Sequence, residues 1–117
     1  MPHQHIDCAI DYIEFTAPDL TAIKTFYGKA FDWKFQDWGE DYVSFSDGRV
    51  DGGFTRAEAR TGSGPLVILY SSNLDTIQQK VQTAGGKITK DTFSFPGGRR
   101  FHFTDPAGNE LAVWSDK

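Results

Sequence analysis

Asp19-Leu20-Thr21-Ala22-Ile23 is echoed 54 residues further on by Asn73-Leu74-Asp75-Thr76-Ile77. Tyr42-Val43-Ser44-Phe45-Ser46-Asp47-Gly48 is echoed by Arg100-Phe101-His102-Phe103-Thr104-Asp105-Pro106, at an offset of 58. Both echoes come in the same order. Each half therefore reads as one unit: a strand, a helix, then short strands. Self-similarity on this scale marks a supersecondary unit used twice. Two such units can fold a curved sheet around a pocket.

Working outward from the echoes, residues 10–15 alternate, Ile13 and Phe15 to one side, Tyr12 and Glu14 to the other. That pattern reads as a half-buried strand. Pro18 breaks it, and Asp19 is placed to cap a helix over 20–30, with Ile23, Phe26, Tyr27 and Ala30 on one face. Short strands are expected over 34–36 and 42–46, with a hairpin turn at Asp47-Gly48 and a returning strand over 49–55. Residues 56–64 are polar with two glycines and read as a linker. They separate unit one, about 7–55, from unit two, about 65–115. Unit two opens with a continuous apolar strand over 66–70. A helix capped by Asn73 follows, with Ile77 and Val81 inward and a stop at Ala84-Gly85-Gly86. Strands over 87–90, 100–104 and 110–114 complete it, with Phe95-Pro96-Gly97-Gly98 as a loop.

The Asp105-Pro106-Ala107-Gly108 turn sets a register. If Pro106, Ala107 and Gly108 form the loop, Thr104 faces Glu110, His102 faces Ala112 and Arg100 faces Trp114. Phe101, Phe103, Leu111 and Val113 then share the other side and should pack under the helices.

At 117 residues the chain is expected to be a single domain, 1–117, able to bury its own core. A net charge of −4 and a pI near 5.2 argue against nucleic acid or an anionic membrane as partner. Cys8 is the only cysteine, so no internal disulfide can form. The first residues lack a basic stretch followed by an apolar run, and a cytoplasmic location is expected. His3 and His5 alternate but read as part of a frayed N-terminal tail.

The two βαβββ units, the Phe26-Tyr27 pair and the run Phe103-Thr104-Asp105-Pro106-Ala107-Gly108-Asn109-Glu110-Leu111 resemble the vicinal oxygen chelate superfamily. That superfamily contains glyoxalase I, extradiol dioxygenases and the bleomycin-resistance proteins. The resemblance covers about residues 7–115. It implies an α+β fold: two βαβββ modules forming a cupped, curved mixed sheet with helices on the outer face. It also implies a homodimer. Metal-dependent members take a His or Glu from the first and last strands of each unit. Carried over by the repeat, those positions fall at Tyr12, Gly52, Leu66 and Ala112. Three have no donor side chain. A one-residue shift brings in Asp11 or Ile13, Asp51 or Gly53, Pro65 or Val67, and Leu111 or Val113. That still offers nothing from the second half, so neither a metal nor any other cofactor is expected.

The cup face should carry Tyr12, Glu14, Tyr42, Ser44 and Ser46 from unit one. Leu66, Ile68, Tyr70, Arg100, His102, Thr104, Glu110 and Trp114 should come from unit two. The residues expected to bind a ligand are Tyr12, Glu14, Tyr42, Ser44, Tyr70, Arg100, His102, Glu110 and Trp114, with no catalytic residue assigned. Aromatic walls with a few polar groups suit a small organic molecule. A buried carboxylate beside an imidazole could move a proton, and Arg99-Arg100 could clamp an anionic group. Trp33 reads as a core or interface residue, and Trp38 as a turn residue at a pocket rim or dimer contact. The main reading is a metal-free small-molecule binding protein of the glyoxalase/bleomycin-resistance type. An alternative is a lyase, isomerase or dioxygenase with metal on Glu14, His102 and Glu110. A third is an interaction module built on exposed aromatics.

Overall fold

A computed structural model describes residues 4–58 and 64–117. The expected linker lies partly outside the described residues, and His3 lies wholly outside them. The class is α+β, with eight strands and two helices among the described residues. Contacts divide the chain into two units, unit one from Tyr12 to Pro65 and unit two from Leu66 to Lys117 together with Gln4–Asp11.

Unit one contains most of β1 (Ile10–Ala17), then α1 (Leu20–Phe31), β2 (Lys34–Asp37), β3 (Tyr42–Ser46) and β4 (Asp51–Arg56). Its strands lie in the order β2-β3-β4-β1. β1 runs parallel to β4, and the other pairings are antiparallel. The Asp19 carboxylate accepts from the Ala22 N–H at 3.1 Å, which satisfies one orphan donor of the first helical turn. One side of the sheet packs under α1 in a cluster of Ala17, Leu20, Val43, Phe45 and Phe54. Trp33 is a core residue here, stacked at 4.5 Å on both Tyr27 and Phe45.

The expected helix face needs correction. Ile23 and Tyr27 pack on the core, but Phe26 is 56 % exposed and Ala30 is exposed too. α1 is apolar on more than one side, and the sheet selects which stripe is buried.

Unit two repeats the plan with β5 (Leu66–Tyr70), α2 (Leu74–Thr83), β6 (Lys87–Phe95), β7 (Gly98–Thr104) and β8 (Glu110–Ser115). The order β6-β7-β8-β5 matches that of unit one, again with one parallel pair, β5 with β8. Asn73 caps α2 by accepting from the Thr76 N–H at 3.2 Å. The expected β7–β8 register is the observed one: Thr104 opposite Glu110, His102 opposite Ala112, Arg100 opposite Trp114. Phe101 and Val113 form a cluster with Leu74, and Phe103 packs against it.

β6 is much longer than the sequence suggests. The expected loop around Pro96 is a two-residue turn, because Phe95 pairs directly with Gly98. Proline followed by Gly97 at φ +115° suits the central pair of a tight turn that needs one left-handed residue. β6 breaks register twice, between Ile88 and Lys90 and between Lys90 and Phe93.

Candidate functional site

In unit one, Tyr12 and Glu14 on β1 share a face with Tyr42 and Ser44 on β3. The register requires this, since Glu14 and Ser44 both pair with Gly53 of β4. The Tyr42 hydroxyl lies 3.3 Å from the Glu14 carboxylate and donates to it. Tyr42 has one proton to give, so the Tyr12 hydroxyl, 2.5 Å away, donates to Tyr42. Burial, followed by the neighbouring Tyr12 and Glu14, pushes the Tyr42 phenol far above its ordinary range. The three groups make a directed chain of hydrogen bonds ending on a carboxylate.

Gly53 makes the room. A Cβ there would sit 1.9 Å from the Tyr42 hydroxyl oxygen and 2.6 Å from that of Tyr12. At the rim, the Trp38 indole N–H donates to Ser44 Oγ at 2.9 Å, while Trp38 itself is 57 % exposed.

In unit two, Arg100 and His102 alternate with buried Phe101 on β7, and Glu110 opens β8. His102 Nδ1 lies 3.4 Å from Glu110 Oε2. Burial, helped by the Arg100 charge, lowers the His102 pKa below its ordinary value, so the ring is neutral near pH 7. Arg100 lies over the Phe93 and Phe95 rings, at 5.4 and 5.8 Å to their centroids. Arg99 is not part of this group. It points to the other side, donating to the Lys117 carbonyl at 3.3 Å and lying 3.7 Å from Asp75 of α2. The paired clamp considered from the sequence is therefore a single arginine, because adjacent strand residues face opposite ways.

Tyr70 and Trp114 sit in a different environment. His5 stacks on Tyr70 at 4.9 Å and meets Trp114 edge-on at 5.0 Å. His5 Nδ1 lies 3.0 Å from Asp11 Oδ1, and the Trp114 indole N–H donates to Asp11 Oδ2 at 2.9 Å. Asp11 is only 3 % exposed. The Tyr70 hydroxyl donates to Asp116 at 2.5 Å, which pushes its pKa up to about 12. His5 is thus docked, not frayed. The sequence held one signal for this, an acidic residue in a strand otherwise apolar at that end, and no signal for its distant partners. Lys90 and Phe93, brought beside His102 and Arg100 by the irregular β6, were also missed.

The positions carried over for metal ligands need one correction. Gly52 pairs with Ile13 and Phe45 on the helix side, where a Cβ would meet the Phe45 ring at 2.3 Å. Gly53 occupies the place equivalent to Ala112. Two residues, Arg49 and Val50, separate Gly48 from β4, whereas Asn109 alone separates Gly108 from β8, so counting four from each glycine misplaces it by one. The corrected set is Tyr12, Gly53, Leu66 and Ala112. Leu66 and Ala112 are 1 % and 0 % exposed and carry no donor, and the Tyr12 phenol is engaged with Tyr42. Among the described residues, no three His, Cys, Asp or Glu side chains group to hold a metal ion. These residues do not fit the family's divalent metal.

Two βαβββ units of matching strand order, each with polar and aromatic side chains on the face away from its helix, define a paired-module protein of the glyoxalase type. The chain belongs to the Glyoxalase/Bleomycin resistance protein/Dioxygenase superfamily, whose sequence model matches residues 9–113. It is 29% identical over 124 residues to the anthracycline biosynthesis protein DnrV of Streptomyces peucetius. That match takes in 88% of this chain and 45% of the relative, so the chain spans about half the relative's length. Among solved structures it is similar to a Mn(II)-bound glyoxalase from Novosphingobium aromaticivorans, with a TM-score of 0.66 and 22% identity over 92% of this chain and 38% of the other. It is also similar to methylmalonyl-CoA epimerase from Mycobacterium tuberculosis, with a TM-score of 0.72 and 11% identity over 98% and 92% of the two chains. At these identities the structures show a shared fold.

Proposed function

We propose that this protein binds a small organic ligand through the polar, aromatic faces of its sheet strands and does so without a resident metal. The observation that carries this reading is the donor-free set Gly53, Leu66 and Ala112 at the family's ligand positions, with Tyr12 turned to Tyr42. The same faces keep hydrogen-bonding groups beside aromatic surface, the mix that small-molecule sites use. Two copies pairing in the cytoplasm belong to the same proposal, and light scattering checks the pairing.

The test is elemental analysis of tag-free protein with titration of Ni, Zn, Mn and Fe, followed by a thermal-shift screen. The expected result is no stoichiometric metal, unchanged stability in chelator, and stabilisation by at least one organic compound. The name of the relative DnrV makes an anthracycline the first compound to try. Tight one-to-one metal binding would overturn the metal-free reading.

A further inference from the structure

His102 Nε2 is buried and has no hydrogen-bond partner among the described residues, in a side chain that belongs to a residue 8 % exposed. Buried polar atoms are nearly always partnered, so such an atom calls for a ligand or a water. Its chemistry follows from the other ring nitrogen. Nδ1 faces Glu110, which when ionised can only accept, so the proton of the neutral ring resides on Nδ1. Nε2 then carries a lone pair and needs a donor, a hydroxyl or an N–H.

The surroundings define the rest of the ligand. Arg100 lies on the same face two residues along β7, roughly 6.7 Å away by strand geometry. Lys90 Nζ lies 4.6 Å from the Phe93 ring centroid, and the Arg100 guanidinium covers Phe93 and Phe95. The bulged stretch of β6 aims Lys90 and Phe93 at this face. Two cations are therefore gathered against aromatic rings in a chain whose net charge is −4. They favour an anion and disfavour a cationic ligand. Glu110 keeps negative charge away from the His102 end, so the anion belongs with Arg100.

We propose that this face of unit two binds an aromatic acid bearing a ring hydroxyl, the carboxylate held by Arg100 and the hydroxyl donating to His102 Nε2. This deepens the binding reading above and rests on it.

The test is an NMR titration of the intact protein, labelled with 15N at histidine and 13C at tyrosine, with 3-hydroxybenzoate, 3-methoxybenzoate, benzoate and 3-hydroxybenzamide. The expected result is that 3-hydroxybenzoate moves the His102 Nε2 resonance and binds about tenfold tighter than the other three, a typical margin when a buried polar group gains its partner. His102→Phe keeps a ring against Phe93 and removes the acceptor. It should bring 3-hydroxybenzoate down to the affinity of benzoate. Arg100→Gln should weaken both acids. Equal affinity for 3-hydroxybenzoate and 3-methoxybenzoate, or a His102 resonance that does not move, would overturn the proposal. If screened compounds instead shift only the Tyr12 and Tyr42 signals, the binding function stands and this assignment fails. If no organic compound binds, both fall.

Discussion

Replacing Gly53 by alanine should strike at the hydrogen-bond chain of unit one. Gly53 is buried in β4 between Glu14 of β1 and Ser44 of β3, so its backbone is held from both sides. The added Cβ would lie 1.9 Å from the Tyr42 hydroxyl oxygen and 2.4 Å from Cζ. Ordinary contact needs about 3.5 Å, so the ring must retreat by roughly 1.5 Å. That movement cannot preserve both the 2.5 Å contact to Tyr12 and the 3.3 Å bond to Glu14. Losing a neutral hydrogen bond costs about 0.5–1.5 kcal/mol, and one to a charged group about 1.5–3. Overpacking by one methyl costs a comparable amount if the ring stays. The expected loss is about 2–3 kcal/mol, read as a lower urea midpoint at unchanged slope. Tyr42→Ala supplies the control. With the ring absent, only the Tyr12 hydroxyl, 2.6 Å from the added Cβ, remains in the way, so the same alanine should cost much less, the more so because glycine is itself unfavourable inside a strand. A coupling of about 2 kcal/mol in this double-mutant cycle is expected. A Gly53→Ala protein within about 0.5 kcal/mol of the parent, or an equal cost in both backgrounds, would refute the reasoning.

Phe101 is fully buried beneath α2, so Phe101→Ala should cost about 3–5 kcal/mol by chemical denaturation. Asp19→Ala removes the α1 cap and should cost about 1 kcal/mol, with Asp19→Asn retaining most of it. His102, neutral when folded because its pKa lies below the ordinary 6.5, binds fewer protons in the folded chain than in the unfolded one. Stability should therefore rise with pH between the lowered value and 6.5, and fall on acidification through that window. Urea midpoints at several pH values should show this slope in the parent protein and a shallower one in His102→Phe.

The parts of the fold legible in the sequence were those set by local chemistry. Asp19 and Asn73 cap their helices because a side-chain oxygen reaches an N–H three residues on, and no distant residue is needed. The Thr104–Glu110 register could be read because turn length and strand alternation together leave one answer. With the repeat, these sufficed for two βαβββ units and for placing Tyr12 with Glu14 and Arg100 with His102.

Tertiary structure decided what depends on residues far apart in the chain. Phe26 faces outward because packing of α1 on its sheet chose between two apolar stripes. β6 continues to Phe95 because β7 supplies a hydrogen-bonding edge for residues whose own pattern is weak. His5 is docked by Asp11, Tyr70 and Trp114, the last of them 109 positions away in the chain. The depth of His102 and the bare nitrogen at its edge exist only once β6, β7 and β8 lie side by side. A sequence carries periodicity and turn chemistry in neighbouring letters, whereas burial and hydrogen-bond partnership belong to the assembled chain.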